Sequence, residues 1–424
     1  MKLLHTSDWH LGNQFGETEK RNDEFGSVFD WMLEQIRSEH VDLLLIAGDV
    51  FDTRNPPIDA IRLFYNFIGK LTKTGCRHLV VIGGNHDSTG RINAPAGFFD
   101  VYDKMDVHLV GGVDPENLER EVIVLSDENG EPEAVVCAVP YVHEKFLRTV
   151  QPGESQEEKT AKMREGVKRH YDEVGALAEA ERTRIMKEFG KEVPLIVTGH
   201  LFTRGSEKYR SADDGVRDLP LGGLESAGLD VFPESADYIA LGHIHRGYSI
   251  ENHEHIRYSG SIVPIGFDEL AYKKNVCLAE FDGRAVNVRE IEIPRFRLMK
   301  NISGATIQEI LSALDTFEAE CDGRTGYFKV TNTGEYIPEL HQQVSRHLNG
   351  KKLVCCGTSN RNSRLSEGMI SVSEGESLDE LTEMDVFDRR MEDKKVEEGR
   401  RQGLRNLLLE LIREIDEEEN EKGE

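Results

Sequence analysis

Residues 80–87 read Val-Val-Ile-Gly-Gly-Asn-His-Asp, and this stretch sets the pattern from which the fold is predicted. The apolar run is typical of a buried strand, and the two glycines let the backbone turn sharply and approach a ligand closely. Asn85, His86 and Asp87 would then lie at the carboxyl end of the strand, where open α/β sheets bind ligands. The stretch predicts a strand that delivers polar side chains to a site.

The same pattern, an apolar run followed by polar side chains, occurs at four other places in the chain. A single polar residue after a strand needs no special explanation, because loops are ordinarily polar. Five strand ends with one pattern favour a shared site instead. The polar groups at the other four ends are Asp8 and His10, Asp49 and Asp52, His200, and His243 and His245.

These side chains offer oxygen and imidazole donors, which suit Mn²⁺, Fe²⁺ or Zn²⁺. They are more numerous than one ion requires, so the sequence predicts two ions that share a carboxylate. Paired ions roughly 3.5–4 Å apart clamp the attacking and leaving oxygens of phosphoryl transfer. The 6 cysteines are scattered and form no C-x-x-C pair, so neither a disulfide framework nor a thiolate zinc site is indicated.

The chain has 424 residues and a net charge of −26, enough length for two or three domains. So acidic a chain is not a simple nucleic-acid or membrane binder with a basic face, although bound divalent cations or a basic partner would supply positive charge. No apolar run approaches the roughly 20 residues of a membrane span. The first residues lack the apolar core of a signal peptide, and the expected location is the cytoplasm.

The order of predicted elements divides the chain into three parts. Strands alternate with helices over residues 1–293, which predicts an α/β layered domain. Residues 294–375 show the pattern of a small α+β domain. Residues 376–424 carry two amphipathic helical patterns, which would pack either on their own domain or against a partner.

The motifs Asp-x-His, Gly-Asp-x-x-Asp, Gly-Asn-His-Asp, Gly-His and Gly-His-x-His occur in this order, and the chain resembles the calcineurin-like metallophosphoesterases in them. Its opening His-Thr-Ser-Asp-Trp-His-Leu-Gly and later Ala-Gly-Asp-Val-Phe-Asp are similar to the SbcD group of nucleases within that superfamily. The resemblance implies a layered β-sandwich flanked by helices, followed by a small α+β capping domain and a C-terminal helical segment.

The resemblance also implies a role for each site residue. His86 would be the catalytic acid beside the leaving oxygen. Relatives from archaea and eukaryotes typically have histidine at position 52, whereas this chain has aspartate, and Asp52 is expected to orient His86. Asp49 would bridge two Mn²⁺ ions, one held also by Asp8, His10 and His245, the other by Asn85, His200 and His243.

The implied function is that of a metal-dependent DNA nuclease in double-strand break repair and recombination. It would act as a 3′–5′ double-strand exonuclease and a single-strand endonuclease through a two-metal-activated water. The expected partner is an SMC-like ATPase of the SbcC type, bound through the C-terminal helices, with the chain as a homodimer within a heterotetramer. This chain has no G-x-x-x-x-G-K-[ST] loop, so ATP dependence must come from another polypeptide.

Two other functions use the same residues. A phosphatase or small-molecule phosphodiesterase could be built on the same two-metal core. A catalytically silent scaffold that joins DNA ends is the third hypothesis, and the full set of donors argues against it.

Overall fold

The computed structural model describes residues 1–15, 19–95, 97, 105–148, 154–203, 228–250 and 253–360. The chain divides into two compact units. The first contains Met1–Ile302, Leu314–Lys329 and Ser345–Gly357, and the second contains Ser303–Ala313, Val330–Val344 and residues 358–360 of the described chain. The predicted helical tail, 376–424, lies outside the described residues.

Seventeen strands are described, and they are numbered in chain order. They are β1 (Lys2–Thr6), β2 (Gln14–Phe15), β3 (Glu19–Lys20), β4 (Leu43–Ala47), β5 (His78–Ile82), β6 (Asp106–Val110), β7 (Val122–Ser126), β8 (Pro132–Cys137), β9 (Leu195–His200), β10 (Tyr238–Gly242), β11 (Tyr248–Ile250), β12 (His253–Tyr258), β13 (Asn275–Asp282), β14 (Ala285–Glu292), β15 (Leu298–Gly304), β16 (Gly326–Asn332) and β17 (Leu353–Asn360). The described α-helices are Asn22–Glu39, Ile58–Leu71, Thr89–Asn93, Glu144–Leu147, Gln156–Phe189, Ile307–Glu320 and Leu340–His347.

Two six-stranded sheets form the framework of the first unit. The first has the order β14-β13-β1-β4-β5-β6 and the second the order β11-β12-β10-β9-β8-β7. Strands β1, β4, β5 and β6 run parallel, as do β8, β9, β10 and β12. Parallel central strands are covered on both faces, which is why β4, Leu-Leu-Leu-Ile-Ala, is buried throughout.

The two sheets face each other across an apolar layer, and helices cover their outer faces. Leu45 and Val80 of the first sheet share the inner layer with Val136 and Ala240 of the second. The helices Asn22–Glu39 and Ile58–Leu71 contribute their apolar faces to a core on the outside of the first sheet. The helix Gln156–Phe189 does the same for the second. The predicted layered α/β sandwich is confirmed.

Strand register brings the carboxyl ends of the parallel strands level with one another. Ala47 pairs with Ile82, and His200 pairs with Gly242. The two sheets meet at these ends, because the His200 Nδ1 lies 2.9 Å from the main-chain oxygen of Ala47. Polar residues that follow strands in either sheet are thereby gathered in one place.

Most predicted elements of the first unit are present. The long helix expected between residues 154 and 192 runs from Gln156 to Phe189, and the predicted closing hairpin is the antiparallel pair β13–β14. Strand β7 is not among the predicted elements. It alternates buried and half-buried residues at the edge of its sheet, and the charged residues around it obscure that pattern.

Residues 298–360 contain a three-stranded sheet in the order β15-β16-β17 and two helices. This is the α+β composition predicted for the region after residue 294. The division between the two compact units passes through these elements, so the predicted boundary between nuclease and capping domains stays a prediction. In the described part of the chain, no helix has the length and apolar character needed to span a membrane.

Candidate metal centre

The backbone turns sharply where each strand delivers its polar side chain. Asp8, His10, Asp49 and His243 have φ angles of 51°, 47°, 50° and 96°. Side chains other than glycine rarely adopt this left-handed region, and such residues concentrate at functional sites because surrounding contacts must hold them there. The Asp8 carboxylate provides one such contact by accepting a hydrogen bond of 2.9 Å from the His243 amide.

One group of donors combines the first and last motifs of the sequence. Ligand atoms of Asp8, His10 and His245 all lie within 4.8 Å of one another, and all three residues are buried. The Nε2 atoms of His10 and His245 are 3.1 Å apart. Two imidazole nitrogens that face each other this closely have room for one shared cation or proton between the side chains.

A second group lies beside the first. Asp49, His200 and His243 also present ligand atoms within 4.8 Å of one another. The Asn85 Oδ1 lies 3.1 Å from the His200 Nε2 and 2.9 Å from the His243 Nδ1. The neutral amide oxygen of Asn85 therefore completes this group.

Asp49 connects the two groups through a single oxygen. Its Oδ2 is 3.1 Å from the His200 Nε2 and 3.6 Å from the His10 Nε2. Its Oδ1 instead accepts a hydrogen bond of 2.9 Å from the His86 amide. One carboxylate oxygen is thus fixed by the backbone, while the other faces both groups.

Charge is strongly coupled across the two groups. Burial lowers the pKa of His10, but the carboxylates of Asp52 and Asp49 outweigh it and raise that pKa to about 9. Burial likewise lowers the pKa of His200, and Asp49 raises it to about 9. In return, His200 and His10 outweigh the effect of burial on Asp49 and hold its pKa well below the usual range. The carboxylates draw positive charge to these nitrogens, which either protons or metal ions can supply.

His86 reaches the same cluster but is held by the main chain. Its Nδ1 donates to the main-chain oxygen of Asp52 at 2.7 Å, which leaves Nε2 as the nitrogen available to the site. The Asp52 carboxylate, expected to orient His86, lies 3.2 Å from the His10 Nδ1 instead. The orientation of His86 therefore comes from the Asp52 backbone, and the Asp52 side chain supports His10.

Asp87 braces the loops that carry the donors. Its carboxylate accepts hydrogen bonds from the amides of Val50 at 3.1 Å, Phe51 at 2.9 Å and Gly84 at 2.9 Å. Only 3% of Asp87 is exposed. Its two oxygens are occupied by the backbone, so Asp87 holds the loop after β4 against the loop after β5.

Four residues of this region are not among the sequence predictions. Glu269 contacts His245 with its Oε1 2.9 Å from the His245 Nδ1, and Lys274 pairs with Glu269 at 2.6 Å. The ring of Phe202 lies 4.2 Å from that of His243, and the ring of Tyr141 lies 6.4 Å from that of His200. None follows a strand in the motif pattern, and Lys274 is indistinguishable in sequence from its exposed neighbour Lys273.

The donor set fits divalent cations. Buried carboxylates and imidazoles converge in two adjacent groups, and the oxygen between them belongs to one carboxylate. Nitrogen and oxygen ligands without thiolates are typical of Mn²⁺, Fe²⁺ and Zn²⁺ sites. The structure thus brings together every predicted metal ligand: Asp8, His10, Asp49, Asn85, His200, His243 and His245.

Two family models match the chain. The model described as calcineurin-like phosphoesterase matches residues 1–247, which contain all the donors above. The model described as type 5 capsule protein repressor C-terminal domain matches residues 295–395.

Known proteins named as the D component of the nuclease SbcCD are similar to the chain over most of its length. The protein of Escherichia coli strain K12 is 32% identical over 414 residues, which cover 96% of this chain and 97% of that protein. The Rhodobacter capsulatus protein is 32% identical over 74% of this chain and 75% of its own length. The Bacillus subtilis protein is 32% identical over 66% of each. The chain therefore belongs to the calcineurin-like phosphoesterase family and, within it, to the SbcD type.

Proposed function

We propose that the chain is a nuclease that hydrolyses DNA phosphodiesters at a dinuclear metal centre. The observation that carries the proposal is the position of the Asp49 Oδ2, which faces His200 at 3.1 Å and His10 at 3.6 Å. A carboxylate oxygen placed between two nitrogen-rich groups suits a ligand shared by two ions. The nuclease names of relatives of nearly equal length support DNA as the substrate.

The residues of the site divide into two ligand sets and one acid. Asp8, His10 and His245 would hold one ion, while Asn85, His200 and His243 would hold the other, with Asp49 shared. When bound, a pair of divalent ions neutralises phosphodiester oxygens and lowers the pKa of water, which then attacks phosphorus in line. Mn²⁺ is the proposed metal because the donors are nitrogen and oxygen only.

His86 is the proposed general acid. The Asp52 main-chain oxygen accepts its Nδ1 proton at 2.7 Å, and the Asp49 Oδ1 holds its amide at 2.9 Å. These contacts aim Nε2 at the site, where it can give a proton to the departing oxygen. General acid catalysis of this kind contributes about 10²–10⁴-fold to the rate.

The proposed activities are 3′–5′ exonuclease on double strands and endonuclease on single strands, in double-strand break repair. The relatives are named as one component of a nuclease with a second component, which supports a separate ATPase partner of the SbcC type, SMC-like and bound by the C-terminal residues. The proposed assembly is a homodimer of this chain within a heterotetramer.

The test compares substrates on one preparation stripped of metal and reloaded with Mn²⁺. End-labelled blunt duplex DNA, circular single-stranded DNA and p-nitrophenyl phosphate esters are incubated in parallel, with an EDTA-treated sample as control. The proposal predicts Mn²⁺-dependent shortening of the duplex from its 3′ ends and nicking of the circle. Hydrolysis of the small esters with no cleavage of either DNA would contradict it and would identify a phosphatase or small-molecule phosphodiesterase.

A further inference from the structure

A buried carboxylate lies behind the histidine that closes the first ligand group. Glu269 belongs to the short 3₁₀ turn Phe267–Ala271 and is 2% exposed. Its Oε1 lies 2.9 Å from the His245 Nδ1. The other nitrogen of that ring, Nε2, lies 3.1 Å from the His10 Nε2. One edge of the ring therefore faces a carboxylate and the opposite edge faces the donor cluster.

The second oxygen of Glu269 is fixed by a buried lysine. The Lys274 Nζ donates to the Glu269 Oε2 at 2.6 Å, to the His245 main-chain oxygen at 2.8 Å and to the Ser261 Oγ at 2.8 Å. The Ile265 amide also donates to Oε2, at 3.0 Å. Lys274 is 6% exposed. The carboxylate consequently has one orientation, with Oε1 reserved for His245.

Folding stability alone does not account for this pair. Burying a carboxylate and an ammonium costs desolvation energy that their attraction only partly recovers, and apolar side chains of similar volume usually stabilise a core as well or better. The pair does something that apolar residues cannot do. A carboxylate that accepts the Nδ1 proton of a histidine fixes the tautomer in which Nε2 has a free lone pair.

We propose that Glu269, held in place by Lys274, is a positioning residue that fixes the Nε2-coordinating tautomer of His245 and sets the affinity of the Asp8–His10–His245 group for its ion. This inference rests on the dinuclear centre proposed above. Partners of this kind typically change metal affinity by about 10–100-fold when they are removed.

The ligand group that contains His200 and His243 is oriented by other residues. The His200 Nδ1 faces the main-chain oxygen of Ala47 at 2.9 Å, and the His243 Nδ1 faces the Asn85 Oδ1 at 2.9 Å. The affinity of this second group should therefore change much less than that of the first when Glu269 is replaced.

The test measures Mn²⁺ binding to the full chain by calorimetry and low-temperature electron paramagnetic resonance. Wild type should bind two ions and show an exchange-coupled pair. Glu269→Gln places an amide N–H against Lys274 or His245, so its weaker site should lose about 10–100-fold in affinity. At two equivalents of Mn²⁺ its spectrum should be that of an isolated ion. Lys274→Met should lower the affinity of the same site, and it serves as the test if Glu269→Gln does not fold.

Glu121→Gln is the matched control. Glu121 is also buried and also contacts a histidine, with its Oε2 2.8 Å from the His170 Nε2, but His170 is in the long helix that covers the second sheet. This variant should lower the melting temperature without changing Mn²⁺ binding. A purely structural role for Glu269 would give the same result as the control: lower stability with two ions bound at wild-type affinity. That outcome would overturn the inference.

Failure of the dinuclear centre would be distinguishable. If wild type bound one ion or none, the proposed function would be wrong. If wild type bound a coupled pair and Glu269→Gln and Lys274→Met did likewise at unchanged affinity, only the role of Glu269 would be wrong.

Discussion

At the scale of single residues, the site depends on a carboxylate that binds no metal in the proposed centre. Asp87 accepts three backbone hydrogen bonds from the loops after β4 and β5. The substitution Asp87→Asn would turn an N–H group toward at least one of these donors. A buried donor left without an acceptor costs about 1–3 kcal/mol.

We therefore expect Asp87→Asn to lower the free energy of unfolding by about 1–3 kcal/mol, measured by urea denaturation of the metal-free chain. Asp30→Asn is the control, because Asp30 pairs with Lys70 at 2.7 Å while 66% and 57% of the two side chains are exposed. Exposed ion pairs are worth about 0–1 kcal/mol. Equal effects of the two substitutions would show that Asp87 does not brace the loops.

Gly84 shows why the stretch 80–87 contains glycine. A Cβ atom at Gly84 would lie 2.0 Å from the Asp49 Oδ1 and 2.4 Å from the Asp49 amide nitrogen. The expected close approach of the backbone is confirmed, and what it approaches is the carboxylate that connects the two ligand groups. Gly83 is similarly constrained, since its Cβ would lie 2.3 Å from the main-chain oxygen of Gly111.

Gly84→Ala should displace Asp49 and reduce Mn²⁺ binding from two ions per chain to one or fewer, as measured by metal analysis after gel filtration. Gly69→Ala is the control. Nothing lies within 4 Å of a Cβ at Gly69, and alanine within the helix Ile58–Leu71 should stabilise by about 0.5–1 kcal/mol. Two ions bound to Gly84→Ala at wild-type affinity would contradict the shared position of Asp49.

The sequence predicted the donors at this scale but not the residues that hold them. The donors follow apolar strands in a repeated pattern, which is recognisable without coordinates. Glu269, Lys274 and Phe202 reach the site from loops, and their roles depend on which of several similar residues the fold buries. For Asp52 the sequence could not distinguish a side-chain contact from a main-chain contact, and the structure assigns His86 to the main chain.

At the scale of elements, His78 connects the two sheets at the end opposite the donors. Its Nδ1 lies 3.3 Å from the Asp106 Oδ2, and its Nε2 lies 2.9 Å from the main-chain oxygen of Ser126. Ser126 belongs to β7 of the second sheet, whereas Asp106 belongs to β6 of the first. Burial lowers the pKa of His78, but Asp106 and Glu133 outweigh it and raise that pKa to about 9.

This raised pKa predicts a pH-dependent contribution to stability. A histidine with a higher pKa in the folded state than in the unfolded state stabilises the protein fully below the unfolded pKa of about 6.5. The contribution is lost as the pH rises through about 9. The difference in melting temperature between wild type and His78→Gln should therefore be largest below pH 6.5 and shrink up to pH 9. A constant difference would refute a charged His78.

The strands and helices themselves follow from simple patterns. Continuous apolar runs gave β1, β4, β5, β9 and β10, since parallel strands covered on both faces need apolar residues at every position. Helical spacing gave Asn22–Glu39 and Ile58–Leu71. The pairing of these strands into two sheets depends on contacts between residues far apart in sequence, and periodicity carries no information about it; only the family resemblance supplied that part.

At the scale of the whole molecule, the acidic tail is the proposed attachment to the ATPase. Deletion of residues 376–424 should abolish co-purification with an SMC-like ATPase of the SbcC type. Because all donors precede residue 248, the Mn²⁺-dependent nuclease activity should persist. The control is the melting temperature and Mn²⁺ content of the deletion variant, which should match those of the full chain. Unchanged co-purification would refute this use of the tail.

The proposed mechanism is tested most sharply by His86→Gln, with metal content and DNA cleavage measured on the same preparation. In this mechanism His86 is an acid held by the backbone, and the ions are held by other side chains. The variant should therefore bind two Mn²⁺ per chain while duplex cleavage falls by about 10²–10⁴-fold. Wild-type cleavage by His86→Gln with both ions bound would contradict the mechanism.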